Sequence, residues 1–338
     1  AGGGGRRVTG APAAAGDQVE RLHDEAAAVL ARYGRADAEL ELLSISENAT
    51  FAVDDPRHGR AALRLHRHGY LTREQIAAEL AWTEALREQA GVATPRALPA
   101  LDGERIVTLR YEPLADERNA VLFEWVEGAA PAADGLAAWA PALGELAARI
   151  HAHGAAWTPP AGFHRHTWLT EQIVGDGARW GSWRDHPGVD ADARELLERA
   201  VAVARARLDA VATDRDRFGL VHADLRLANV LADGDRLTVI DFDDCGHGWF
   251  LWDLAGAFRG IPTPPDRDAI VAGWLEGYRS VRPVAADVAA EVEGLLLLSR
   301  LQGLGWLANR QATDLARDLD GERIATTCAL AERYLTAN

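Results

Sequence analysis

FGLVHADLRLANVLADGDRLTVIDFDD, residues Phe218–Asp244, sets His222, Asp224 and Asn229 in an H-x-D-x-x-x-x-N run and closes on Asp241 with its acidic neighbours. Between Asn229 and Asp241 the residues read as a hairpin. Positions 230–232 and 236–240 are short strand patterns around Asp233-Gly234, a dipeptide suited to tight turns. The hairpin predicts that Asn229, entering it, and Asp241, leaving it, lie near each other at its open end. Two oxygen donors held in this way suit a hard cation such as Mg2+, which keeps several waters and binds phosphates as well. Phosphoryl transfer from a nucleotide needs a carboxylate to receive the acceptor hydroxyl's proton and side-chain oxygens to hold magnesium on the phosphates. Asp224 suits the first task; Asn229 and Asp241 suit the second.

With the WDLAGAF run at residues 252–258, this segment resembles the catalytic and metal loops of the aminoglycoside phosphotransferase and choline kinase family, the small-molecule branch of the protein-kinase-like fold. The runs ENATF, LRLHRHGY, WGSWRDHPG and LGWLANR are most similar to the bacterial stress-response-kinase and homoserine-kinase-like branch. The resemblance implies ATP and Mg2+ as cofactors, Asp224 as proton acceptor, and Arg226 as the cation on the transferring phosphoryl group. It also implies that His222 holds the catalytic loop in shape and that Asp253 braces that loop from below.

The chain carries 48% hydrophobic residues in 338, enough for two lobes with sizeable cores, and a net charge of −15. That charge argues against nucleic acid as a partner and favours a cationic acceptor such as an amine. The longest apolar candidate, Leu295–Leu298, is far too short to span a membrane. Cys245 and Cys328 give neither a disulfide framework nor a metal-ligand spacing, so a reducing cytoplasm is expected. A monomer and a homodimer are equally open. The chain contains no lysine, which excludes a Walker A loop and leaves arginine as the phosphate cation.

Residues 1–16 read as a disordered tail. Helical spacing follows over 18–33, strand patterns at 40–53 and 61–66, and a helix from Thr72, whose T-R-E-Q opening is a capping box, to Gln89. Strands are expected at 105–111 and 120–125. Beyond residue 128 the patterns are helical, at 135–153, 190–211, 266–279, 284–309 and onward to 334, with 218–243 as the one strand region. The expectation is an α+β, two-lobed protein-kinase-like fold. A small antiparallel-sheet N-lobe spans 17–126 and a larger, mainly helical C-lobe spans 127–338.

Protein kinases pair a strand lysine with a helix glutamate over the nucleotide phosphates. Here Arg64 and Glu79 hold the matching places, and arginine's fork grips phosphate in two-pronged fashion. Ser46 and Asn48 stand where a phosphate-covering loop belongs, and backbone groups of Glu124 and Val126 are expected to meet the adenine edge. Asp244 is the candidate for the acceptor's amine. Trp180, Trp183 and His186 offer aromatic rings that can hold such a cation face-on. Asp241 opens DFD rather than DFG, and eleven residues separate it from Asp253, leaving no room for a peptide-docking activation segment. The expected activity is ATP- and Mg2+-dependent phosphorylation of a hydroxyl on a small, amine-bearing molecule of aminoglycoside, choline or homoserine type. A Ser/Thr protein kinase of the stress-response type and a non-catalytic nucleotide-binding pseudokinase are the alternatives.

Overall fold

The computed structural model describes residues 15–45, 48–111, 116–211, 214–261, 264–285, 288–309 and 323–338. The expected tail at 1–16 lies outside the described residues except at its end, where helix α1 (Ala15–Arg32) begins. The chain forms two compact units, residues 1–76 with 96–125 and residues 77–95 with 126–338.

The first unit is an antiparallel sheet and one helix. Strands β1 (Glu39–Ile45), β2 (Ala49–Asp55), β3 (Gly59–Leu65), β4 (Ile106–Tyr111) and β5 (Asp116–Glu124) lie in the order β1-β2-β3-β5-β4. Leu22, Ala26, Val29 and Leu30 of α1 recur at helical spacing and form a core with Phe51, Val53, Leu63, Leu65, Ala120 and Leu122 of the sheet. Helix α2 (Arg73–Gln89) starts in this unit with the expected capping box. The Thr72 N–H donates to Gln75 Oε1 at 3.0 Å and the Gln75 N–H to Thr72 Oγ1 at 3.3 Å.

The second unit takes the rest of α2 and is mainly helical. Helices α3 (Leu136–Ala156), α4 (Thr170–Val174), α5 (Ala191–Leu208), α6 (Trp252–Ala257), α7 (Arg267–Arg279), α8 (Val288–Ala308) and α9 (Arg323–Ala337) surround a core that includes Trp168, Trp183, Trp249, Trp252 and Trp274. The hairpin β8 (Val230–Asp233) and β9 (Arg236–Val239) pairs in the register expected, with Asp233 opposite Arg236 across the Gly234 turn. Both of its edges are covered. The Val239 N–H donates to Ala93 C=O at 2.9 Å, and Ala232 exchanges hydrogen bonds with Ala129 at 2.9 and 3.1 Å.

One expectation is corrected: residues 218–243 are not the sole strand region of this half. A three-stranded sheet β6-β10-β7 joins β7 (Phe218–Val221) to β6 (Thr167–Trp168) and β10 (Gly246–Trp249). Its new members are a two-residue strand and a Gly-His-Gly-Trp strand, both lacking the apolar alternation that reveals strands in sequence. Among the described residues no helix is long and apolar enough to cross a membrane. The architecture is α+β, an antiparallel sheet unit followed by a mainly helical one.

Candidate active site

Strand β7 delivers the chain into a strained turn. Ala223, a non-glycine residue, sits at φ 69°, in the left-handed region that costs about 1–3 kcal/mol unless the surroundings impose it. Here they do. The fully buried carboxylate of Asp253, in α6, takes the Ala223 N–H at 2.7 Å on Oδ1 and the His222 N–H at 3.0 Å on Oδ2. His151 of α3 adds a third donor, Nε2 to Asp253 Oδ2 at 2.9 Å. Burial, only partly offset by Asp253, pulls the His151 pKa down, so its imidazole is neutral with the proton on Nε2. His222 is itself fully buried. Its Nδ1 accepts the Asp224 N–H at 3.2 Å while Nε2 donates to Ile240 C=O at 3.0 Å, which suits a scaffold and leaves neither nitrogen for proton transfer.

The turn presents the Asp224 carboxylate to two guanidiniums. Arg259 Nη1 donates to Oδ1 at 2.6 Å, and Arg226 Nε to Oδ2 at 3.1 Å. Asn229 Nδ2 reaches Oδ2 and the Asp224 C=O, both at 2.9 Å. Burial alone would raise the Asp224 pKa, but the Arg259 and Arg226 cations outweigh it and hold the carboxyl below the usual carboxylate range. Asp224 in turn pushes the Arg226 pKa up against burial, with Asp241 and Asp244 adding to the effect. Three of the predicted carboxylates therefore share the electrostatic field of one guanidinium.

Asn229 and Asp241 flank the open end of the hairpin, which the Ile240 N–H closes onto Asn229 C=O at 3.0 Å. Because Asn229 spends its amide nitrogen on Asp224, its Oδ1 is the atom left for a cation. Asp241 is the second non-glycine residue at positive φ, 64°. Asp243 and Asp244, each 5% exposed, follow it in a turn.

In the first unit Arg64 lies on β3 between Thr50 and Val121, 7% exposed, its guanidinium 5.1 Å from the Phe123 ring. Asn48 Oδ1 accepts the Arg67 N–H at 3.2 Å. Ser46 lies outside the described residues. Glu124 donates its backbone N–H to Arg96 C=O at 2.9 Å, so that N–H is committed inside the unit. Glu79, 2% exposed on α2, and half-buried Val126 belong to the second unit.

The tryptophan cage expected for an amine takes a different form. Trp183 is fully buried, and the ring of Trp180 is faced at 4.9 Å by Arg259, whose guanidinium lies 5.4 Å from Trp252. The chain's own cation fills the aromatic surface. Arg259, which touches Asp224, and His151, which touches Asp253, are neighbours of the candidate site that sequence reasoning missed. The only trace of Arg259 is a charge ending the run FLWDLAGAF, whose other charge is Asp253, and His151 stands inside an alanine-rich helix.

With this geometry in view, comparisons with known proteins converge. The profile of the APH family, described as phosphotransferase enzymes, matches residues 39–284. Among solved structures, a microcompartment-associated aminopropanol kinase superposes with a TM-score of 0.85 at 39% identity, covering 93% of this chain and 98% of that one. Amicoumacin kinase, solved with AMP-PNP, Ca2+ and its antibiotic, superposes at 0.73 with 20% identity over 94% and 95%, a likeness of fold. Homoserine kinase of Methylobacillus flagellatus is 29% identical over 48% of each chain. That of Methylobacillus glycogenes is 30% identical over 57% of this chain and 58% of its own. The chain thus spans about half the length of the curated relatives it matches.

Proposed function

The chain belongs to the APH family of phosphotransferase enzymes, and on that premise we propose that it transfers the γ-phosphoryl group of ATP to the hydroxyl of a small amino alcohol. Asp224 carries this reading. Each carboxylate oxygen accepts about two hydrogen bonds. Among the described residues Oδ2 has Arg226 and Asn229, whereas Oδ1 has Arg259 alone, so Oδ1 is the place for the acceptor hydroxyl. As that hydroxyl oxygen bonds to the γ-phosphorus, its proton passes to Asp224 and the bond to ADP breaks, its electron pair leaving on ADP. Arg226, beside the base and 40% exposed, supplies positive charge for the oxygens in transit.

The amide oxygen of Asn229 and the carboxylate of Asp241 form a donor set of the kind hard divalent cations take. Mg2+ held there would neutralise charge on the nucleotide phosphates, and the amicoumacin kinase complex with AMP-PNP and Ca2+ supports a metal–nucleotide pairing in this fold. Arg64, Glu79, Ser46, Asn48 and the backbone of Glu124 and Val126 are the candidates for binding the nucleotide. The amine is argued from three sides. The chain carries a net charge of −15, Asp243 and Asp244 stand beside Asp241, and the names of the relatives at 39% and 30% identity point to amino alcohols. With the tryptophan surface occupied by Arg259, recognition of the ammonium falls to carboxylates, Asp244 first.

ADP release should be followed with Mg2+ and ATP across aminopropanol, homoserine, choline, aminoglycosides and a generic protein acceptor. Amino alcohols are expected to raise turnover well above the acceptor-free rate, and Asp224→Ala should abolish that gain while retaining nucleotide binding. Phosphorylation of protein with none on any amino alcohol would overturn the assignment.

A further inference from the structure

We infer that Arg165 is a positioning residue for the cation site: with His166 and Trp168 it fixes the turn after Asp241 in the conformation that presents that carboxylate to a metal–nucleotide complex. This rests on the kinase reading above and adds to it the part of the chain that sets metal affinity.

The turn has an unusual hydrogen-bond account. After β9 the chain passes Asp241 at φ 64° and then runs through residues 242–245 without a strand partner. Buried carbonyls in such a segment must find donors elsewhere. Phe242 C=O takes the Cys245 N–H at 2.9 Å within the turn, and the carbonyls of Asp243, Asp244 and Cys245 find their donors on one strap. Arg165 Nε donates to Cys245 C=O at 2.6 Å, while Nη2 donates to Asp243 C=O and, at 3.4 Å, to Phe242 C=O. His166 Nε2 and Trp168 Nε1 both donate to Asp244 C=O, at 2.9 and 2.8 Å. The His166 pKa is driven down to about 2 by burial and by the Arg165 and Arg179 cations, so the ring is neutral and keeps one proton to give.

The strap is itself anchored. Thr167 and Trp168 pair in parallel with His247 and Gly248, and the His247 N–H donates to His166 C=O at 3.0 Å. A Cβ on Gly246 would sit 2.4 Å from His166 C=O, so glycine is what lets the two chains approach this closely. Arg165 is 3% exposed and Trp168 1%. Packing alone would be served by apolar side chains. A fork spanning three carbonyls, with two further donors on the one between, fixes the orientation of successive peptide planes. That is what a strained aspartate needs in order to hold one direction.

The test uses the full chain and reads binding rather than turnover: Mn2+ affinity in the presence of AMP-PNP, by electron paramagnetic resonance, and AMP-PNP affinity without metal, by calorimetry. Arg165→Lys keeps the charge but cannot span three carbonyls. It should weaken Mn2+ binding about 10- to 100-fold, the range for residues that orient metal ligands, and leave metal-free AMP-PNP affinity unchanged. Arg184→Gln, which breaks the Arg184–Glu198 pair elsewhere in the same unit, should lower the melting temperature without changing Mn2+ affinity. If Arg165→Lys fails to fold, His166→Phe removes a single donor and should shift Mn2+ affinity in the same direction. Folded variants that bind Mn2+ as tightly as wild type would overturn this inference alone. A wild-type chain that binds no metal–nucleotide complex would overturn the kinase reading beneath it.

Discussion

Both oxygens of Asp224 are engaged, and the two sides differ in how they are held. Arg226 is 40% exposed and can follow a substrate, whereas Arg259 is 10% exposed and pinned beside Trp180 and Trp252. Arg259 also donates to Ala223 C=O at 2.9 Å, so one side chain holds both the strained turn and its carboxylate. Removing one partner of a buried pair leaves an uncompensated charge, so Arg259→Ala should cost about 3 kcal/mol in urea unfolding, the low end for such pairs because Arg226 and Asn229 remain. In the folded variant kcat should fall on the order of 100-fold, as expected for a displaced reacting group, with KM for ATP little changed. Arg259→Lys should recover part of kcat. An equal loss in KM for ATP would place Arg259 at the nucleotide instead. Asp224, Asn229 and Asp241 stand out as candidates in the sequence because all lie within residues 224–241, around one local hairpin. Arg259 reaches the same carboxylate from 35 positions away, and nothing in a lone arginine announces that contact.

At the scale of elements, what was legible depended on repetition. The β8–β9 hairpin carries a turn dipeptide and alternation, and α1 carries a full apolar stripe, so both could be read directly. The β6–β10 pairing has two residues per strand in register, too few for any period. The packing of α3 on α7 was also illegible, since it depends on which glycines face a backbone. A Cβ on Gly144 would sit 1.9 Å from Trp274 C=O, and one on Gly277 would sit 1.9 Å from Pro141 C=O. Backbone cannot swing aside as a side chain can, so Gly277→Ala must push the helices apart and should destabilise the protein by about 3 kcal/mol. Gly273, one turn earlier on α7, has only the Pro141 ring and Ala140 at 3.5–3.7 Å, an ordinary contact. Gly273→Ala should therefore be neutral or stabilising by up to about 1 kcal/mol through helix propensity. Gly277→Ala should lower the melting temperature, and Gly273→Ala should leave it unchanged or raise it. A shared direction would mean the α3–α7 approach is looser than it stands.

For the whole molecule, periodicity along the chain foretold the α+β division and composition the acidity, but neither showed where the buried histidines gather. His151, His166 and His247 all belong to the second unit and all have their pKa lowered by burial, with His166 at about 2. In each case the unfolded chain takes the proton first, at the ordinary histidine value of about 6.5. Stability from these groups is therefore complete above that pH and is lost as pH falls through 6.5 toward the lower folded values. For His166, whose folded value lies at about 2, the loss approaches about 1.4 kcal/mol per pH unit in that window. His166 would remove up to about 2 kcal/mol between pH 6.5 and 5, before most ordinary carboxylates take up protons, and His151 adds in the same direction. Unfolding free energy measured in urea from pH 7.5 to 5 should accordingly fall steeply below 6.5. His166→Gln, which titrates nowhere in that range and still offers a donor, should flatten the slope while lowering the plateau. A slope unchanged by His166→Gln would show that the ring leaves its buried position before it is protonated, and the acid sensitivity would then trace to His151 and the brace on the catalytic turn.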